Sequence, residues 1–216
     1  MQAADVREQM VEQQVRAWDV LDARVLDVLR QIPRELFTPP EQRYRAYADV
    51  EVALARGQHM LRPSVCGRLL QALLPISPER VLEVGTGSGF VTACLRAMSA
   101  QVRSLEVFPE LAEESRRNLA LLGMRDIEVV DADALQADTG ERYGVIAVTA
   151  SLPVYDPRFE RLLEVGGRLF VVVGEAPVME ARLVRRTSAD SFATQSLFET
   201  VIDPLVNAVR PPEFRF

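Results

Sequence analysis

The ten residues Val81–Phe90, VLEVGTGSGF, restrict the fold more than any other part of this 216-residue chain. An apolar run, RVLEV, enters a turn with glycines at 85, 87 and 89, and a helical pattern, FVTACLRAM, leaves it. Glycines in that setting let the backbone turn sharply and lie against a ligand. The strand-then-helix rhythm continues downstream. VRSLEV reads as a second strand, PELAEESRRNLALLG as a helix closed by Gly123, DIEVVDA as a third strand and YGVIAVTA as a fourth. DPRFERLL then reads as a helix and GRLFVVVG as a fifth strand. This alternation predicts an α/β fold, a Rossmann-like three-layer α/β/α sandwich on a mostly parallel sheet. The segment EARLVRRTSADSFATQSLFETVI predicts two more strands, a C-terminal antiparallel hairpin turning at Ser188–Ser191.

Ahead of this core, residues 1–35 have helical spacing, with Met10, Val11, Val15 and Trp18 and then Val25, Leu26 and Leu29 on apolar faces. Asp22 is placed to cap the second helix and Pro33 to stop it. A proline- and tyrosine-rich stretch follows, in which Val50, Val52 and Leu54 suggest a short strand. SVCGRLLQALLP then reads as a helix ending at Pro75. The expected organisation is a helical and substrate-loop region over 1–78 and a ligand-binding core over 79–216, within one structural domain. The terminal NAVRPPEFRF suggests no particular element.

Composition narrows the function. No apolar run approaches the roughly 20 residues of a membrane span. The first ten residues, MQAADVREQM, have no apolar stretch after a basic start, so the expected location is the cytoplasm. A net charge of −6, with arginine as the sole cationic residue besides one histidine, argues against a nucleic-acid partner. Cys66 and Cys94 match no metal or redox spacing and read as small buried thiols. One histidine and scattered acids make no recognisable metal site.

The glycine turn itself separates two ligand classes. Dinucleotide-binding turns follow Gly-x-Gly-x-x-Gly and place a pyrophosphate on the helix N-terminus. Here Gly85-Thr86-Gly87-Ser88-Gly89 is one residue tighter, and Glu83 stands two residues ahead of it. A carboxylate is unfavourable beside a pyrophosphate and favourable near an ammonium or sulfonium group. S-adenosylmethionine carries both cations and no phosphate. Glu106 ends the second strand, where an acid accepts both ribose hydroxyls, and Asp133 follows the third, within reach of an adenine amino group. Val107 and Ala134 flank these acids, and Ser88 completes the turn, as further cofactor contacts.

With these residues the chain resembles the protein-L-isoaspartate O-methyltransferases, from about Arg34 to Leu205. The resemblance rests on PRELFTPP, AYADVEVAL, GQHMLRPSV, VLEVGTGSGF, VVDADA and LLEVGGRLFVVVG. It implies N-terminal helices near an S-adenosylmethionine site and methyl transfer to the free carboxylate of isoaspartyl residues in damaged proteins. By position, Glu83, Gly85, Thr86, Gly87 and Gly89 match the family's cofactor turn, Glu106 its ribose ligand and Asp133 its acid near adenine.

The substrate segment departs from the pattern. After Gly57-Gln58 the family reads Thr-Ile-Ser, one residue and Pro; this chain reads His59-Met60-Leu61-Arg62-Pro63. Leu61 replaces the serine that helps hold the substrate carboxylate, and leucine donates no hydrogen bond. Ala132-Asp133-Ala134 replaces Gly-Asp-Gly, and Gly144 replaces an aspartate. Arg62 is a candidate replacement carboxylate clamp. His59, the sole histidine, is a candidate base for a hydroxyl or amine acceptor. Ser64 is placed to cap the next helix. Two other readings stay open: a related methyltransferase with another acceptor, and a cofactor-binding protein without isoaspartyl activity.

Overall fold

The apolar run RVLEV forms the strand around which the rest of the fold is arranged. In the computed structural model, which describes residues 3–99, 101–137 and 140–211, this strand is β3, Arg80–Val84. It is preceded by a two-residue pair, β1 (Val52–Ala53) and β2 (His59–Met60), which pair antiparallel. It is followed by β4 (Gln101–Glu106), β5 (Glu128–Asp131), β6 (Tyr143–Leu152), β7 (Leu163–Glu175), β8 (Val178–Arg186) and β9 (Phe192–Thr200). The seven long strands form one sheet in the order β5-β4-β3-β6-β7-β8-β9. The first five in that order run parallel, and β8 and β9 add antiparallel. The expected hairpin of β8 and β9 is present, and β7 also turns back into β8, so the antiparallel edge is one strand pairing wider than the sequence suggests.

The helices are α1 (Ala3–Gln9), α2 (Ala23–Gln31), α3 (Pro63–Leu73), α4 (Phe90–Met98), α5 (Pro109–Leu121) and α6 (Arg158–Arg161). Asp22 caps α2 as expected, its carboxylate accepting the Arg24 amide at 2.9 Å. The helical reading of the N-terminus holds, but α1 runs on through a π-helical segment, Met10–Val15, and a 3₁₀ turn, Arg16–Trp18. The helix expected from DPRFERLL shrinks to the single turn of α6. The cap reading of Ser64 is corrected. Arg62 occupies the cap position, while the Ser64 amide and hydroxyl both donate to Asp49, at 3.0 and 2.9 Å. Asp49 thereby satisfies the start of α3 from outside the helix.

Alternation along the buried strands divides the core into two layers. Val81, Val145, Phe170 and Val172 face α2–α4, together with Met10, Val11 and Val15 from the N-terminus. Leu82, Val84, Ile146, Val148, Leu169 and Val171 face the other way, toward Phe159 of α6. That second layer is thin, completed by Leu135 after β5 and by Leu205 and Ala208 near the end of the described chain. Cys66 and Cys94 are free and buried in the first layer, as expected. No helix among the described residues is long and apolar enough to cross a membrane.

The N-terminal region is joined to the core by an aromatic contact. Phe37, 1% exposed, meets the Phe90 ring edge-on at 5.7 Å, at the first residue of α4 and directly after the glycine turn. Phe37→Ala is expected to cost about 3–5 kcal/mol of unfolding free energy, the usual range for a buried aromatic, when read by denaturant titration. A loss under about 1 kcal/mol would show that this contact does not tie the two regions together.

Candidate functional site

The parallel strands β3, β4, β5 and β6 all end on one side of the sheet, and a cleft opens there. This is where ligands bind in open α/β sheets, outside the carboxyl ends of the strands. Its walls include Gly85 and Gly87 after β3, Glu106 and Val107 at the end of β4, Asp133 and Ala134 after β5, and Thr149 in β6.

Gly85 has φ +92°, and a Cβ there would stand 2.6 Å from the Thr149 hydroxyl. That hydroxyl donates to the carbonyl oxygens of Val84, at 2.9 Å, and of Gly85. Gly85 therefore leaves room for the Thr149 hydroxyl, which ties the turn to the neighbouring strand. Gly89 has another purpose. It starts α4 with φ +88°, and its hydrogen side packs 3.2 Å from Ser115 of α5 once a Cβ is built. Gly89 is thus absent from the cleft lining, in contrast to the expectation that it contacts cofactor.

Glu106 is 5% exposed and held by backbone amides: Gly87 donates to Oε2 at 2.8 Å and Phe108 to Oε1 at 3.1 Å. Burial raises its pKa, and the amide hydrogen bonds pull in the opposite direction. Asp133 accepts from the Leu135 amide at 2.9 Å, from Gln136 at 3.0 Å and from Asn207 at 3.0 Å. Both acids line the cleft as expected.

Glu83 is the main correction. Strand alternation turns its side chain away from the cleft, to the α4 side where Val81 also points. It is 0% exposed and lines no part of the cleft. Its Oε2 accepts from Thr92 of α4 and, at 2.6 Å, from Ser104 of β4. Ser104 in turn shares a 2.6 Å hydrogen bond with the Thr86 hydroxyl. Oε1 has no partner among the described residues. Burial pushes the carboxyl up to about 8, against the pull of the Ser104 and Thr92 hydroxyls, and nearby Glu106 adds to the rise. Glu83 therefore supports the turn from beneath as a neutral acid at pH 7, not as a counter-ion on the ligand side.

A second chamber, called the inner one for its wholly buried Arg34 and Cys66, adjoins the cleft along the glycine turn. It shares Met60, Leu61, Gly85, Gly87 and Thr149 with the main cleft and adds Thr86, Ser88, Phe90 and Arg34. The expected contacts of Thr86 and Ser88 fall here.

His59 lies where the main cleft meets an open groove lined by Arg45, Glu51, Arg62, Glu199 and Thr200. Its Nδ1 is 2.9 Å from Asp203 Oδ2. Asp203 is placed by the chain after β9, whose Asp203 carbonyl and Leu205 amide bond Ser151 of β6 at 2.8 and 2.7 Å. Burial and the Asp203 charge raise the pKa of the half-buried Glu51, and His59 and Arg62 oppose this. Arg62 is absent from the cofactor-side cleft. It lines the groove, donates to Thr200 at 3.2 Å and lies 5.8 Å over the Trp18 ring. No local signal marks Thr149, Asp203 or Arg34 as wall residues: 144 positions separate His59 from Asp203, for example. Among the described residues no group of acids, histidines and cysteines forms a metal site.

Residues 5–210 match the protein-L-isoaspartate(D-aspartate) O-methyltransferase family. The chain belongs to this family of S-adenosylmethionine-dependent methyltransferases. It is 40% identical over 183 residues to the protein-L-isoaspartate O-methyltransferase of Methanoculleus marisnigri, covering 83% of each chain. It is 33% identical over 205 residues to protein-L-isoaspartate O-methyltransferase 2 of Marinobacter nauticus, covering 94% of each. A Plasmodium falciparum chain described as a beta-aspartate methyltransferase, solved with S-adenosyl-L-homocysteine, shares the fold with a TM-score of 0.79 at 20% identity. That alignment covers 92% of this chain and 97% of the other.

Because Glu83 binds a proton on folding, its contribution to stability is complete below about pH 4.5 and is lost as the pH rises through about 8. Unfolding free energy is expected to fall by roughly 2–4 kcal/mol between about pH 5 and pH 8 from this group. Glu83→Gln should flatten that decline in denaturant titrations at a series of pH values. Parallel curves for the two proteins would show that Glu83 is ionised in the folded state.

Proposed function

We propose that this methyltransferase holds S-adenosylmethionine along the cleft and methylates the side-chain carboxylate of isoaspartyl residues in proteins or peptides, the initiating step of their repair. The observation that carries the cofactor reading is the position of Glu106. Its two oxygens are oriented by the Gly87 and Phe108 amides and face the cleft beside the glycine turn. A paired acceptor fits a ribose diol. Asp133 and Ala134 wall the adenine end, with Val107 and Phe108 as apolar surface. Glu51, Glu106, Asp133 and Asp203 give the cleft an acidic lining, which favours a sulfonium and opposes a pyrophosphate.

S-adenosylmethionine supplies an electrophilic methyl group on a sulfonium. The acceptor carboxylate is already ionised near pH 7, so the protein has no strong base to provide. Its contribution is to position, and to exclude water. Thr149 and Glu83 hold the turn, Glu106 and Asp133 hold the nucleoside, and the groove beside His59 admits a peptide. Arg62 and Arg45 supply the cations of that groove. Leu61, 7% exposed, walls both chambers where the resemblance expects a hydroxyl donor.

The His59–Asp203 pair supports a second reading. An imidazole with Nδ1 fixed by a carboxylate has the form of an oriented base, suited to a hydroxyl acceptor. The two readings separate in one assay. Labelled methyl from S-adenosylmethionine is expected on an isoaspartyl peptide as base-labile ester, and not on its aspartyl twin. Leu61→Ser should raise kcat/KM for that peptide on the order of tenfold, from one added hydrogen bond to a charged group. Absence of label on the isoaspartyl peptide, with transfer to hydroxyl acceptors that His59→Ala abolishes, would establish the second reading instead.

A further inference from the structure

Arg34 is the one cation of the described chain that is both wholly buried and without an acidic partner. It is 1% exposed. Its contacts are the Leu61 carbonyl at 2.7 Å, the Cys66 sulfur at 4.0 Å and the Phe90 ring face at 4.8 Å. Its Nε has no partner and no carboxylate stands within ion-pair distance of it among the described residues, although the charge of Asp49 favours it from farther away. The protein treats its other sheltered arginines differently. Arg168 is clamped by both oxygens of Glu79, at 2.7 and 2.9 Å, and Arg7 pairs with Glu35 at 3.1 Å. A buried charge without a directly paired counter-ion is costly, and an anion entering the adjoining chamber would offset that cost.

The surroundings identify that anion. Arg34 lines the inner chamber together with the glycine turn, Gly85–Ser88. Glu106 and Asp133, which fit a nucleoside, lie in the outer cleft and do not border the inner chamber. A nucleoside bound there directs its 5′ substituent past Gly85 and Gly87 into the inner chamber. The acceptor comes from the other side, through the groove at Glu51, His59 and Arg62. For S-adenosylmethionine the group carried past the turn is the amino-acid tail, which ends in a carboxylate.

Resting on the S-adenosylmethionine reading above, we propose that Arg34 is a binding residue for the methionine carboxylate of the cofactor. It supplies the only positive charge in the inner chamber's described wall other than a protonated His59. Leu61 takes part through its backbone: by accepting from Arg34, its carbonyl aims the guanidinium while its side chain closes the chamber.

The test compares S-adenosylmethionine with decarboxylated S-adenosylmethionine, which differ in that one carboxylate. Calorimetric titration is run on wild-type, Arg34→Met and Arg34→Lys protein. Wild-type protein is expected to prefer the intact cofactor by on the order of ten- to hundredfold. Arg34→Met should lose that preference and bind both ligands as the wild type binds the decarboxylated one. Arg34→Lys keeps the charge and should keep most of the preference. Equal weakening of both ligands by Arg34→Met would overturn the proposal by showing a structural role. Retained preference in Arg34→Met, with a raised KM for the acceptor peptide, would also overturn it by assigning Arg34 to the acceptor's carboxylate. Failure of wild-type protein to bind either ligand would overturn the S-adenosylmethionine reading itself.

Discussion

The geometry of the cleft depends on one carboxyl group placed beneath it. Glu83 joins α4 through Thr92, β4 through Ser104 and, by way of Ser104, the turn through Thr86. Three separate elements therefore meet on one buried acid, whose pKa burial raises to about 8. A charged group there would be costly, and an apolar one would remove the acceptor of the Thr92 and Ser104 hydroxyls. With the turn fixed from below by Glu83 and from the side by Thr149, its upper surface is free for a ligand to approach backbone directly.

Charge is distributed along the cleft in a way that assigns direction. The outer end is acidic, with Asp133, Glu106, Asp203 and Glu51, and the inner end holds the buried guanidinium of Arg34. A ligand with a neutral, hydroxyl-rich nucleoside, a cation in the middle and an anion at its end matches that order. A dinucleotide, with its charge in a central pyrophosphate, meets carboxylates where it needs donors. The peptide groove opens beside the middle of the cleft, where transfer from a sulfonium would take place.

Much of the fold is legible in the sequence because short buried strands and glycine stops leave strong local marks. RVLEV and FVTACLRAM coincide with β3 and α4 to the residue. Glu106 and Asp133 are legible because strand ends are predictable positions. Glu83 is legible as important yet misread in role, since the direction of its side chain depends on which face of β3 meets α4. DPRFERLL contracts to one turn because its last residue, the buried Leu163, is already the first of β7, and Phe159 alone is buried within α6. Arg34, Asp203 and Thr149 acquire meaning only from neighbours brought from distant positions. Nothing local in PRELF distinguishes a paired surface arginine from a solitary buried one.

The decisive measurement is a crystal structure with S-adenosyl-L-homocysteine bound. Both ribose hydroxyls are expected on Glu106, adenine beside Asp133 and Ala134, the homocysteine tail in the inner chamber, and Glu83 still on Thr92 and Ser104. A ligand with its ribose away from Glu106, or with its tail turned out toward the Glu51–His59 groove, would contradict this arrangement.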